Sequence, residues 1–194
     1  MIHALRIKGF GQAAVISELS LVEESRVVEL LTELADQGLT RHIPARDLWQ
    51  LTPDGREHHA TELPKMVGEA ADGLRIPYDQ FLELNTRLKE LCTEWQTRNG
   101  EPNDHTDAEY DASCIARLEQ LTHDSAPVID GFATAVGRFA AYQHRLTAAT
   151  ARTKAGETKM FTGVMCNSFH DIWMELHEDL IQLLGVDRHA EGSY

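Results

Sequence analysis

The chain has 194 residues, of which 42% are hydrophobic and 25% charged, a composition typical of globular proteins and unlike that of disordered chains. No apolar run is long enough to span a bilayer, and the first ten residues lack the features of a secretory signal, so we expect a cytoplasmic protein of one large or two small domains. The formal net charge is −13, so any nucleic-acid contact would have to come from a local basic patch.

The first sixty-odd residues predict three helices, a β-hairpin and a fourth helix. The third helix carries the clearest signal, because its apolar residues between Val27 and Leu34 repeat at i, i+3, i+4 and i+7. Thr52 and Pro53 have the residue types of an N-cap and a first helical position. The predicted elements are helices over Ile2–Lys8, Gln12–Glu18 and Ser25–Gln37, strands over Leu39–Ile43 and Leu48–Leu51, and a helix opening at Asp54.

This region resembles bacterial transcription regulators of the MarR and PadR type in the runs ELLTELADQGLTRH and DLWQLTPDGREHH. The residues on the shared pattern are Leu34, Gly38, Leu39, Leu51, Thr52, Gly55 and Arg56. The resemblance implies a winged helix-turn-helix over residues 1–66, with double-stranded DNA as its partner. Its third helix would enter the major groove and its hairpin, the wing, would contact phosphates. The expected DNA contacts are Ser25 and Arg26 at base edges, Arg41 and Arg46 at phosphates, and His42 beside them on the wing.

The charges at the start of the third helix oppose DNA binding. Glu23, Glu24 and Glu29 surround the single cation Arg26, and carboxylates repel a phosphate backbone. Winged helices also dock on proteins, and a fold alone does not decide between the two roles. The alternative is therefore a module that binds no DNA and docks on or regulates a partner enzyme.

Residues 74–190 predict a second domain, a bundle of four to five helices, after a boundary at Gly68–Gly73. The helix signals cover Tyr78–Arg98, a capping-box start at Thr106 running to about Thr122, a new start at Asp124–Ser125, and a last helix that ends before Gly185. Between the first two, the run NGEPNDHTD predicts a polar loop, and the domain has no strand signal. In the last helix we expect Phe169, Trp173, Leu176, Leu180 and Leu183 inside, and Asp171, Glu175, Glu178 and Asp179 on the opposite face. The predicted fold class is mainly α.

The runs LCTEWQ, NDHTDAEYD and WMELHEDLIQLLG resemble MarR-like proteins in which such a helical domain follows the winged helix. A similar arrangement occurs attached to PEP-utilising, pyruvate phosphate dikinase-like enzymes. The resemblance implies a regulatory module. A helix-turn-helix protein usually reads two half-sites, so a homodimer is expected, with the C-terminal helices, above all Phe169–Leu184, as its interface.

The helical domain has candidate residues for two kinds of site, an effector pocket and a metal site. Trp95, Tyr110, Trp173 and His177 would line an effector pocket, or else pack as an aromatic core. For metal, His170 and His177 stand seven residues apart, whereas chelation favours a spacing of four, and the acids after Asp107 lack the glycine of a calcium loop. We therefore expect no metal site.

The sequence carries no motif of a catalytic site. There is no GxSxG, no glycine-rich phosphate loop with its lysine, and no HExxH. The three cysteines lie far apart and have the pattern of free thiols. We therefore expect no enzyme and no cofactor, and predict a DNA-binding transcription regulator with the docking module as the alternative.

Overall fold

The computed structural model describes residues 1–68 and 70–186. It is mainly helical, with a small antiparallel sheet near the N-terminus. The chain forms two compact units, the first comprising Met1–Ala71 with the described residues from Glu178 onward, and the second comprising Asp72–His177. Among the described residues, no helix has both the length and the apolar character that crossing a membrane requires.

The first unit contains every element that the sequence predicts there, with ends shifted by a few residues. Its elements are α1 (Ile2–Lys8), β1 (Phe10–Gly11), α2 (Ala13–Ser20), α3 (Glu24–Asp36), β2 (Thr40–Ile43), β3 (Leu48–Leu51) and α4 (Pro53–Val67). The additional strand β1 has two residues, too few for an alternating pattern. It pairs with β3, which is the central strand of the order β1–β3–β2. The core residues are Leu5, Ile16, Val27, Leu31, Trp49 and Leu51.

The start of α4 is fixed against the end of α3 by a set of short contacts. The Thr52 hydroxyl accepts from the Gly55 N–H at 3.0 Å and donates to the Gly38 carbonyl at 2.6 Å. The Thr52 N–H donates to the Leu39 carbonyl at 3.1 Å. A Cβ on Gly55 would lie 1.9 Å from that carbonyl oxygen, so only glycine fits there.

The second unit is built from five helices and a two-stranded hairpin. Its elements are α5 (Ala70–Gln96), β4 (Thr97–Arg98), β5 (Glu101–Pro102), α6 (Ala108–Ala135), α7 (Ala140–Lys154), α8 (Lys159–Thr162) and α9 (Phe169–Leu184), of which α5 begins and α9 ends in residues of the first unit. Aromatic side chains fill its core, with Phe81 stacked on Trp173 and edge-on to Phe132. The Trp173 indole N–H donates to the Asn85 side-chain oxygen at 3.0 Å.

Two sequence expectations about α6 are wrong. The helix begins one residue later than the capping box suggests, because the carboxylate of Asp107, and not Thr106, accepts from the Tyr110 N–H. It also continues through Asp124 and Pro127 to Ala135, where the sequence predicts a new start. Asp124 does not cap a helix; its carboxylate pairs with Arg87 at 2.7 Å, so tertiary contacts override the local start signal.

The two units divide between Ala71 and Asp72, inside Gly68–Gly73, but neither this segment nor the predicted polar loop is irregular throughout. Most of Gly68–Gly73 is helical, because α5 begins at Ala70, well before the predicted start at Tyr78, and Pro77 lies inside it. The loop after α5 contains the hairpin β4–β5, which turns at Asn99 and Gly100, both with positive φ. Such a turn needs left-handed backbone, which these two residue types adopt at low cost.

The last helix, α9, has the predicted apolar interior, and every one of its residues is buried or half-buried. Its predicted polar face is not a solvent face. Asp179 is fully buried and pairs with His3, and Glu178 contacts Arg6 at 3.7 Å. Since the chain itself covers the apolar stripe of Phe169–Leu184, that stripe is not available as the expected dimer interface.

Candidate functional site

The side of α3 that faces solvent is acidic. Eight residues of α3 are exposed; Arg26 and Glu33, seven residues apart, form a stripe of their own, and we define the α3 outer face as the other six, Glu24, Ser25, Val28, Glu29, Thr32 and Asp36. Three of the six are carboxylates and none is a lysine or arginine. Val28 is 41% exposed, which leaves an apolar side chain in the middle of this face. The helix is held from behind by Val27 and Leu31, both fully buried.

The two residues expected to read bases are engaged by neighbouring acids. The Glu23 carboxylate accepts from the hydroxyl of Ser25 and from the Arg26 N–H at 3.2 Å, and the Ser25 bond lowers its pKa. The Arg26 guanidinium lies 2.8 Å from Glu29 and 3.5 Å from Glu33, and the Glu29 bond raises its pKa. The only cation of this helix is therefore paired on its own surface.

On the wing, the three expected contacts have different surroundings. Arg41 lies beside the amide of Gln50, its cross-strand neighbour on β3. The His42 ring donates to Asp47 at 2.9 Å and stacks on Trp49. Arg46 is exposed at the end of a short 3₁₀ turn, and no ion pair within the described part of the chain engages it. Arg41 and Arg46 thus give the wing two accessible positive charges.

The residues that carry the resemblance to MarR and PadR regulators have structural roles in this chain. Thr52 caps α4, Gly55 admits the Leu39 carbonyl, and the Arg56 guanidinium reaches the Leu51 carbonyl at 3.4 Å. Together they fix the angle between the hairpin and α4. A match at these positions therefore supports the shape of the unit and carries no information about what its outer face binds.

A buried cluster of His3, His59 and Asp179 joins α1, α4 and the end of α9 within the first unit. The Nε2 atom of His3 donates to the Asp179 carboxylate at 2.8 Å, and its Nδ1 lies 2.9 Å from Nε2 of His59. All three side chains are less than a tenth exposed. The sequence does not reveal this cluster, because its members are separated by up to 176 residues.

Burial lowers the pKa of His59 to about 4, with smaller contributions from His3, Arg6 and His58 in the same direction and an opposing one from Asp179. His59 is therefore a neutral imidazole near pH 7. It lines a cleft of about 450 Å³ between α1, α3 and α4, together with His58, which is exposed. The sequence does not indicate this cleft.

The four residues expected at an effector pocket lie among packed aromatic side chains of the second unit. Trp95 stacks on Phe161 at 4.5 Å, and Trp173 stacks on Phe81. His177 also contacts Phe81 and is fully buried, whereas half-buried Tyr110 donates to a backbone carbonyl of α5. The contacts of these four side chains are those of a core, the second of the two interpretations.

All three cysteines of the chain lie in the second unit. Cys92, Cys114 and Cys166 are free thiols, and burial raises the pKa of Cys92 to about 12, so that thiol stays protonated. Within residues 1–68 and 70–186, no three histidine, cysteine or acidic side chains are placed to hold a metal ion together. His105 instead donates to Asp111 at 2.9 Å.

Comparisons with known proteins return no relative: no family model, no curated protein and no solved structure matches the chain. The resemblance to MarR and PadR regulators therefore stays a prediction.

Proposed function

We propose that this chain is a non-catalytic regulatory module that docks on a partner protein through the α3 outer face. The succession of three helices, a hairpin and a fourth helix around a three-stranded sheet supports a winged-helix architecture for the first unit. That architecture presents its third helix to a partner, but it does not specify what the partner is.

The observation that carries the proposal is the charge of that helix. Over its 13 residues, about 20 Å long, α3 and its cap present Glu23, Glu24, Glu29, Glu33 and Asp36. Duplex DNA carries one negative charge per about 1.7 Å of axis, so the two surfaces would repel each other along their whole contact. Arg26 offsets only one of these five charges, and it is already held by Glu29 and Glu33.

The same surface suits a basic protein partner. Carboxylates at its ends steer a positively charged surface toward it, and the exposed Val28 side chain supplies an apolar contact at the centre. An interface of this kind forms by electrostatic attraction and weakens as salt screens the charges.

A second candidate is the DNA-binding regulator, favoured by the exposed Arg41 and Arg46 of the wing. In this candidate the wing would make the phosphate contacts and α3 would stay clear of the bases. With about two phosphate contacts per protomer, a homodimer would show a log–log salt slope near −4, since each contact contributes about −0.9. A dimer is needed only here, to read two half-sites.

Titration with a fluorescent lysine-rich peptide tests the docking proposal. We expect salt-sensitive binding that weakens several-fold when Glu24 and Glu29 are changed to glutamine. The matched control is Asp79→Asn with Glu83→Gln, which removes two exposed acids from α5 at the same cost in net charge. Equal weakening by both double variants would mean general attraction to an acidic protein, and the proposal would be wrong.

A further inference from the structure

The cleft between α1, α3 and α4 has the size and lining of a small-molecule site. Its volume of about 450 Å³ lies within the range of such sites, which are mostly apolar with a few polar groups that orient the ligand. Half-buried apolar side chains form much of its wall: Met1, Ile2, Leu30 and Leu34. On α3 these positions lie to one side of the outer face, so a ligand in the cleft would not occupy the docking surface.

The two carboxylates that line the cleft are held by cations just outside it. Glu33 of α3 and Glu62 of α4 are among its ten lining residues, and no lysine or arginine is. Lys65 holds one oxygen of Glu62 at 2.6 Å, and Arg26 lies 3.5 Å from one oxygen of Glu33. A carboxylate has two oxygens with several acceptor sites, so each acid can accept a further donor from within the cleft.

His59 adds a neutral polar group to the cleft wall. Its side chain is 3% exposed and lines the cleft. Nε2 faces His3, while no hydrogen bond from the described part of the chain reaches Nδ1. In the neutral ring that donates through Nε2, Nδ1 is an acceptor that a ligand donor can use. Because burial holds the pKa of His59 near 4, the ring is neutral near pH 7 and does not repel a cation.

We propose that this cleft binds a small organic cation, an amine carried on an apolar or aromatic body. The apolar wall takes the body, and the carboxylates of Glu33 and Glu62 take the ammonium group. A ligand that carries a second hydrogen-bond donor, such as an indole N–H, would place it near the His59 ring. Binding of an amine in this cleft is a further role beside docking and does not depend on it.

Ligand-detected NMR on the full chain tests the proposal with probes of matched shape and opposite charge. The pairs are tryptamine with indole-3-acetate, and 2-(2-naphthyl)ethylamine with 2-naphthylacetate. We expect each amine to bind at least about tenfold more tightly than its carboxylate partner, a difference of one ion-pair-sized interaction. Equal binding of amine and carboxylate, or binding of neither pair at millimolar concentration, would overturn it.

Variants locate the binding in the cleft. Leu34→Trp should fill it and abolish amine binding, and Glu62→Gln, at a partly exposed position, should weaken it several-fold without loss of folding. Lys65→Gln should strengthen it, because it removes the cation that competes for Glu62. Glu57→Gln, on the exposed side of α4, is the control and should change nothing. If Glu57→Gln and Glu62→Gln have the same effect, the amine binds elsewhere. Failure here leaves the peptide titration of the α3 outer face unaffected.

Discussion

At the scale of single residues, Gly55 shows how the sequence determines the first unit. The Leu39 carbonyl lies where a side chain would begin, so Gly55→Ala must push α4 away from the end of α3. We expect a loss of about 1–3 kcal/mol in the free energy of unfolding, the usual cost of overpacking, measured by urea denaturation. Gly137→Ala is the control, since nothing lies within 4 Å of a Cβ there. Equal stability of the two variants would contradict this packing.

His59 gives the first unit a pH-dependent stability. Its pKa is about 4 in the folded chain against 6.5 for an ordinary histidine, so between these values the unfolded chain binds a proton that the folded chain does not. Stability should therefore be complete above about pH 6.5 and fall as the pH drops toward 4, by at most about 3 kcal/mol.

The measurement is urea denaturation across that pH range for the wild type, His59→Gln and His58→Gln. We expect the decrease to shrink in His59→Gln, which cannot take up the proton. His58→Gln should keep it, because His58 is exposed. A wild type whose stability is flat between pH 6.5 and 4 would show that the His59 pKa is not lowered.

Local signals in the sequence account for most of the elements, and long-range contacts account for the failures. Helical spacing and the Thr52 cap predict the first unit closely. Asp179 looks like a surface residue because its partner His3 lies at the other end of the chain. The cleft is equally hidden, since three separate helices supply its wall. The local periodicity of a sequence does not reveal contacts between residues that lie far apart in the chain.

At the scale of elements, α7 and α9 share a buried ion pair in the second unit. Arg145 and Glu175 are about nine-tenths buried and lie 2.7 Å apart, and Nε and Nη1 of Arg145 have no hydrogen-bond partner among the described residues. Arg152 of α7 also forms an exposed ion pair, with Glu157 just beyond the end of the helix, at 2.6 Å. Burial should make the first pair far more sensitive to the loss of one charge.

Two matched substitutions test this difference by thermal and urea denaturation. Glu175→Gln leaves the Arg145 charge buried without its counter-charge and should cost about 3–5 kcal/mol. Glu157→Gln breaks a solvated pair and should cost less than about 1 kcal/mol. A loss of similar size in both variants would mean that water reaches Arg145.

At the scale of the whole molecule, the net charge of −13 and the acids of α3 both oppose binding to DNA, because they repel its phosphates. The expected DNA contacts that remain as accessible cations are Arg41 and Arg46 of the wing. The sequence predicts the helices and strands of the first unit from residues that pack or cap them, such as Thr52 and Gly55. The partner depends on the outer face, where no sequence pattern specifies the chemistry beyond its charge.

The most direct test of this account is a salt titration of the protein with labelled duplex DNA, followed by fluorescence anisotropy. We predict no binding at about 50 mM salt, where phosphate contacts are strong, and none in an Arg41→Ala variant. Tight binding with a log–log salt slope near −4, reduced by Arg41→Ala, would contradict the docking role and establish the wing as a DNA-binding surface.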